Sequence, residues 1–173
     1  MQLNGSHTLN APKEQVWAML LDPETLTKII PSLKSLEATE SGIFKAICEV
    51  KMGPVSGTFE GTMETTKLVP TESFTLIMKQ NSKIGNVAAE GNIHLKAISE
   101  TETEMLFDGE ANLSGLLART GQRVLSGVAN TLVGMFFKAL EKEIENHATR
   151  EMNENSPIEE SEKKKSFWSK IVG

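Results

Sequence analysis

Residues 2–9 alternate, with Leu3, Gly5, His7 and Leu9 on one face and Gln2, Asn4, Ser6 and Thr8 on the other, which predicts a first strand. Asn10 then offers an N-cap, Pro12 stands near the first helical position, and the segment 11–21 sets Val16, Trp17, Leu20 and Leu21 on one side of a helix. Asp22-Pro23 stops it, and Asp22 caps a second short helix over 23–30 that Pro31 ends. From about residue 34 the period becomes two and stays so for about eighty residues, which predicts six further strands. On one face run Phe44, Ala46, Cys48, Val50 and Met52, then Val55, Gly57, Phe59, Gly61 and Met63, then Phe74, Leu76 and Met78. Val87 to Leu95 and Met105 to Leu113 continue the alternation. Short connections between consecutive strands imply an antiparallel meander with one apolar and one wet face.

The period then changes to that of a long helix over 116–148. Leu125, Ala129, Leu132, Val133, Phe136, Leu140 and Ile144 form its buried stripe. Val124, Val128, Met135 and Phe137 lie off the stripe, and only Arg119 and Arg123 carry charge in the first two-thirds. A helix apolar nearly all round predicts cover on more than one side. The expected class is α+β: a seven-stranded antiparallel sheet wrapped around the long C-terminal helix, with two short helices after strand 1. The expected division is a ligand-binding domain over 1–148, a flexible polar tether over 149–166, and a short basic, amphipathic segment over 167–173.

Composition and charge narrow the function. Apolar residues make up 39% of 173, enough for a sizeable core. The longest apolar runs are six residues, Val16 to Leu21 and Leu132 to Phe137 among them, so no span of a bilayer is expected. No secretory signal is visible at the start, and one cysteine excludes an internal disulfide framework, so a cytoplasmic setting is expected. Net charge is −5, which does not suggest a nucleic-acid binder. The last eleven residues hold four lysines and no acid, leaving the first 162 at −9. Lys163, Lys164, Lys165 and Lys170 beside Phe167, Trp168 and Ile171 suit weak, reversible contact with an anionic membrane, at the inner face of the cell membrane. Solubilisation alone, or docking of the tail into a cavity, are the other readings of that run.

The apolar face carries candidate chemistry of one kind. Phe44, Val50, Met52, Phe59, Met63, Met78 and Phe107 share it with Gly57, Gly61, Gly91, Gly109 and Ala89. Glycine fills no volume and methionine adapts to irregular guests, so the face predicts a cavity, closed by Leu132 and Phe136 of the helix. The competing reading is that the glycines only let the sheet coil. No carboxylate falls on this face. His7 stands there without an acidic partner nearby in sequence, and a satisfied core imidazole is the expected outcome. His94 and His147 read as solvated, and the three histidines do not make a metal-ligand spacing. Cys48, buried among apolar neighbours, should be poorly ionised. No catalytic set emerges. The residues point to a binding module.

Three stretches carry a resemblance: GSHTLNAPKEQVWAMLLDPETLTKIIPSLKSLE, MGPVSGTFEGTME and NLSGLLARTGQRVLSGVANTLVGMFFKAL. They resemble the carbon monoxide dehydrogenase G-subunit family, part of the START/polyketide-cyclase-like superfamily, over about residues 1–148. The resemblance implies a helix-grip fold over a hydrophobic cavity and no tightly bound cofactor. It implies a lipophilic guest, quinone or lipid, and a role as carrier, membrane-recruitment or assembly factor for a molybdenum hydroxylase. The superfamily also contains enzymes, so a cyclase or isomerase using the same cavity is the alternative. Where relatives typically read Ile-Pro-Gly, this chain has Ile30-Pro31-Ser32, which puts the turn after the second helix in question.

Overall fold

Alternating residues become seven strands and the 3.6-period segments become helices in the computed structural model, which describes residues 1–154. In chain order these are β1 (Gln2–Leu9), α1 (Lys13–Leu21), α2 (Pro23–Ile29), β2 (Leu33–Glu40), β3 (Ile43–Met52) and β4 (Val55–Val69). There follow β5 (Ser73–Ser82), β6 (Gly85–Ala97), β7 (Thr103–Leu113), α3 (Gly115–Arg119) and α4 (Gln122–Glu154). All seven strands form one antiparallel sheet in the order β1-β7-β6-β5-β4-β3-β2, a meander with β1 added beside β7. This is the helix-grip arrangement expected. Its register keeps the apolar set on one face: Gly91 pairs with Gly109, Met78 with Ala89, Met63 with Met78, and Ala46 with Gly61.

Asp22 caps α2 as its sequence predicts, accepting from the Thr25 N–H at 3.2 Å and the Thr25 hydroxyl at 2.7 Å. The start of α1 differs. Pro12 itself is the N-cap and no side chain caps the helix, because Asn10 lies in the turn that leads out of β1. After α2, Ser32 takes φ +64°, a left-handed conformation that glycine adopts without strain. The chain therefore places at this left-handed position a residue less suited to it than glycine.

The long helix is not continuous. Thr120 and Gly121 separate α3 from α4, and α4 continues past Ala148 to Glu154. The break has a tertiary cause. The Leu117 N–H donates to the Ile84 carbonyl at 2.9 Å, and the Ser114 N–H donates to the Asn86 carbonyl at 3.0 Å. These bonds fix α3 on the β5–β6 turn. Gly85, at φ +135°, and Gly115, at φ +66°, meet there: a Cβ on Gly85 would fall 2.0 Å from the Ser114 carbonyl oxygen. The first six tether residues, 149–154, are thus helical. The tether from residue 155 onward and the terminal segment with Lys163, Lys164, Lys165, Phe167, Trp168, Lys170 and Ile171 lie outside the described residues.

The core falls into two clusters. The larger joins Leu9, Val16, Leu20 and Ile29 to Phe74, Ile93, Leu95 and Met105, closed by Phe137, Leu140 and Ile144 of α4. Leu9, Val16, Ile29 and Leu140 are among the most deeply buried side chains of the protein. Thr103 joins this end, donating its hydroxyl to the Ala11 carbonyl at 2.7 Å. The smaller cluster joins Val50, Val55, Phe59 and Leu117, with Met52, Ile84, Val87, Leu113, Leu125 and Val128 against it. Phe137, off the stripe in the sequence pattern, is buried, while Leu125, Leu132, Val133 and Phe136 are only half-buried. The helix face turned to the sheet is centred on Val133, Phe137, Leu140 and Ile144, an i, i+4, i+7, i+11 row.

The first half of α4 is covered on one side only, contrary to the two-sided cover its composition predicts. Val124 and Met135 are each 43% exposed, and Leu116 of the preceding α3 is 58% exposed. By length and composition Gln122–Met152 suffices to cross a membrane, which the shorter apolar runs had not suggested, and 11% of its most apolar stretch is buried. Its second half is nonetheless the core helix of the grip.

Candidate functional site

The residues expected to line one cavity are distributed along the grip. Phe107 and Phe136 pack against the larger cluster, and Val50, Met52 and Phe59 belong to the smaller. Met63, Met78 and Leu132 lie between, in neither cluster, and Phe44 pairs with Met63 at the β3 position beside them. The glycines and alanines of the pattern share that middle zone: Gly61, Gly91, Gly109, Ala46, Ala89 and Ala111 all lie outside both clusters. The concave face thus carries larger side chains at each end and mostly small ones between, where Ala46, Met63 and Ala111 are buried.

Two clefts open at the seams between α4 and the sheet edges. One, of about 320 Å³, lies between β1 and α4, bounded by Gly5, Ser6, His7, Phe107, Asn130, Val133, Phe137, Lys138 and Glu141. His7 stacks on Phe137 with ring centroids 4.5 Å apart and planes 19° from parallel. Phe107 and Phe136 sit at 5.8 and 5.3 Å from the same Phe137 ring. The His7 Nε2 pairs with the Glu141 carboxylate. The acidic partner absent from the sequence neighbourhood therefore arrives from α4, 134 residues away, and only the fold could have supplied it. Ser6, Asn130, Lys138 and Glu141 were not singled out in the sequence, since each reads as an ordinary outer-face residue.

The second cleft, of about 340 Å³, lies at the other edge between β2–β3 and α4. Ser32, Leu33, Lys34, Glu49, Lys51, Met52 and Met135 bound it. Lys51 at 3.1 Å and Lys34 at 3.4 Å hold the Glu49 carboxyl below its ordinary pKa, chiefly through hydrogen bonding. Burial pushes the Cys48 thiol up, so it stays protonated and a poor nucleophile, as expected of it. His94 is exposed, and His147 pairs with Glu151 at 3.2 Å near the helix end. No cluster of three potential metal ligands occurs among the described residues.

The fold has counterparts among known proteins. A family model described as the carbon monoxide dehydrogenase G-subunit (CoxG) matches residues 5–145. The chain belongs to the CoxG family. Similar to it over most of that length is a conserved protein of Geobacillus kaustophilus, 35% identical, with a TM-score of 0.82 over 84% of this chain and 96% of that one. A START superfamily protein of Mycobacterium smegmatis aligns at TM-score 0.67 and 14% identity, over 84% of this chain and 97% of that one. An aromatase/cyclase from a Streptomyces species aligns at 0.66 and 14%, over 86% and 95%. These two share the fold. No curated protein matches the chain. The cyclase neighbour places enzymes among proteins of the same fold.

Proposed function

We propose that the chain carries a lipophilic guest, of quinone or lipid type, between α4 and the sheet, for a carbon monoxide dehydrogenase-type molybdenum hydroxylase. The observation that carries this reading is the uneven grip. One end is sealed by Leu9, Ile29 and Leu140, while the other presents Leu116 and Val124 to the outside beyond a zone of methionine, alanine and glycine. Between Glu110 and Glu141 the chain has no acidic residue and carries Arg119, Arg123 and Lys138, in a protein of net charge −5. Apolar side chains flanked by cations suit the surface of an anionic membrane, and the basic terminal segment adds to that attraction. The guest enters between α4 and the sheet from lipid, and the protein works at the inner face of the cell membrane.

Native mass spectrometry and solvent extraction of protein purified from its own host test the reading. An apolar guest in near-stoichiometric amount is expected. A guest-free protein that also rejects added menaquinone would overturn it. Truncation after Glu162 should weaken flotation with anionic vesicles, and high salt should weaken it in the full chain.

The second reading is a cyclase- or isomerase-type enzyme. One observation favours it: His7 and Glu141 are paired at the wall of an open cleft, an imidazole with a carboxylate to orient it. Turnover of a hydrophobic ketone that is lost in both His7→Ala and Glu141→Gln would establish it. Equal turnover in those variants and the parent would dismiss it.

A further inference from the structure

β5 sets Phe74, Leu76 and Met78 on the concave face, and the next position on that face is Gln80. An apolar residue would continue the pattern. Gln80 instead stands between Gly61 on β4 and Val87 on β6, both concave-face positions, and is 4% exposed. Its Nε2 donates a long hydrogen bond of 3.5 Å to the Thr62 carbonyl. That carbonyl accepts from the amide nitrogen and not from its oxygen, so the orientation of the amide is fixed and Oε1 points away from it. Oε1 has no hydrogen-bond partner among the described residues. A buried, unpartnered carbonyl oxygen destabilises a fold, and its presence needs a reason.

Its surroundings supply one. Gln80 stands at the border of the middle zone, with Met78 and Ala89 on one side and Val87 of the smaller cluster directly across from it on β6. On β4 no side chain can stand next to it, because a Cβ on Gly61 would fall 1.7 Å from the Lys79 carbonyl oxygen. On α4 the change from one cluster to the other falls between Val128 and Val133, where Leu132 is half-buried.

We propose that Gln80 Oε1 is the polar contact of the guest site and that the guest is an apolar molecule bearing a hydrogen-bond donor. A hydroxyl on a lipid, or the hydroquinone form of a quinone, has the required O–H, whereas an ether or the oxidised quinone does not. The inference rests on the carrier reading and adds chemical selectivity to it. The amide donates nothing to the guest through Oε1 and transfers no proton; it accepts one hydrogen bond where water is excluded.

Calorimetric titration of the full chain with two matched probes, 1-dodecanol and its equal-length methyl ether, tests the inference. A third arm uses decylubiquinone, oxidised and dithionite-reduced. The parent should bind the alcohol about tenfold tighter than the ether, and the reduced quinone about tenfold tighter than the oxidised one. Gln80→Leu and Gln80→Met should bind the ether as the parent does and lose the preference in both pairs. Guest-free, these variants should also melt higher than the parent, because they remove the unpartnered oxygen. Equal binding of alcohol and ether by the parent, or a lower melting temperature in both variants, would overturn the role of Gln80 and leave the carrier reading standing. Rejection of all four probes by the parent would overturn both.

Discussion

The two halves of α4 are parts of one helix with opposite surroundings. Around Leu140 and Ile144 the helix is wedged among α1, α2 and the concave face, and its exposed side carries Glu141, Lys142 and Glu145. Around Val124 to Met135 the sheet covers one side, the outer side is uncharged and exposes Val124 and Met135 among Gly127, Asn130, Thr131 and Gly134, and α3 is attached through backbone bonds to a turn. Burial of large side chains against many neighbours stabilises the first region. The second leaves apolar surface in water at a cost in free energy, which fits a surface that meets lipid or a guest. A single helix thus divides the protein into an end that holds the fold and an end that opens.

The largest expected effect is at the closed end. Leu140→Ala should lower unfolding free energy by about 4 kcal/mol, since the side chain is fully buried and leaves a cavity. Leu132→Ala, half-buried in the middle zone, should cost only about 1 kcal/mol while weakening guest binding. Equal losses in the two, by urea unfolding, would erase the distinction between the ends.

Next in size is the anchor of α3. Gly85→Ala should cost about 3 kcal/mol, because its Cβ meets the Ser114 carbonyl in a conformation that alanine resists. Its effect should appear first as faster hydrogen exchange at 115–132, ahead of the closed end. Uniform acceleration along α4 would mean that the ends do not open separately.

A gain is expected at Ser32. Ser32→Gly should stabilise the protein by about 1 kcal/mol in thermal or urea unfolding, because φ +64° strains any residue with a Cβ. No gain would mean that the turn is held without strain. The smallest effect concerns Glu49. Its folded pKa lies below the ordinary value, so its contribution is present above that ordinary value and fades as pH falls through the folded one. The group is at the surface, so acidification should cost little at this site, and Glu49→Gln should flatten that part of the pH profile.

How much of this was legible in the sequence depends on the range of the interactions involved. The alternation over 43–113 placed β3 to β7 on their correct faces, because a half-buried antiparallel sheet repeats every two residues whatever its partners, whereas β2, with two register shifts against β3, showed no such facing. Asp22 was legible as a cap for the same local reason. The break at Thr120-Gly121 was not, since it follows from Leu117 bonding to Ile84 and from the approach of Gly85 to Gly115. The burial of Phe137 escaped notice because an apolar helix offers several stripes and only the sheet selects one. The nine apolar residues expected to form one pocket belong to two clusters and the zone between them, a division that facing pattern alone does not encode. Glu141 reached His7 through packing, whereas Gln80 carried a readable signal: a polar residue on the apolar phase of β5.

The central claim is that the protein has one sealed end and one end that accepts a guest. Native-state hydrogen exchange along α4, without and with added menaquinone, measures it most directly. Amides around Leu140 and Ile144 should exchange slowest and be unaffected by the quinone. Amides from Val128 to Val133 should exchange much faster in the guest-free protein and gain protection when menaquinone binds. Equal protection of the two halves without guest, or protection by menaquinone confined to the Leu140 region, would contradict the account.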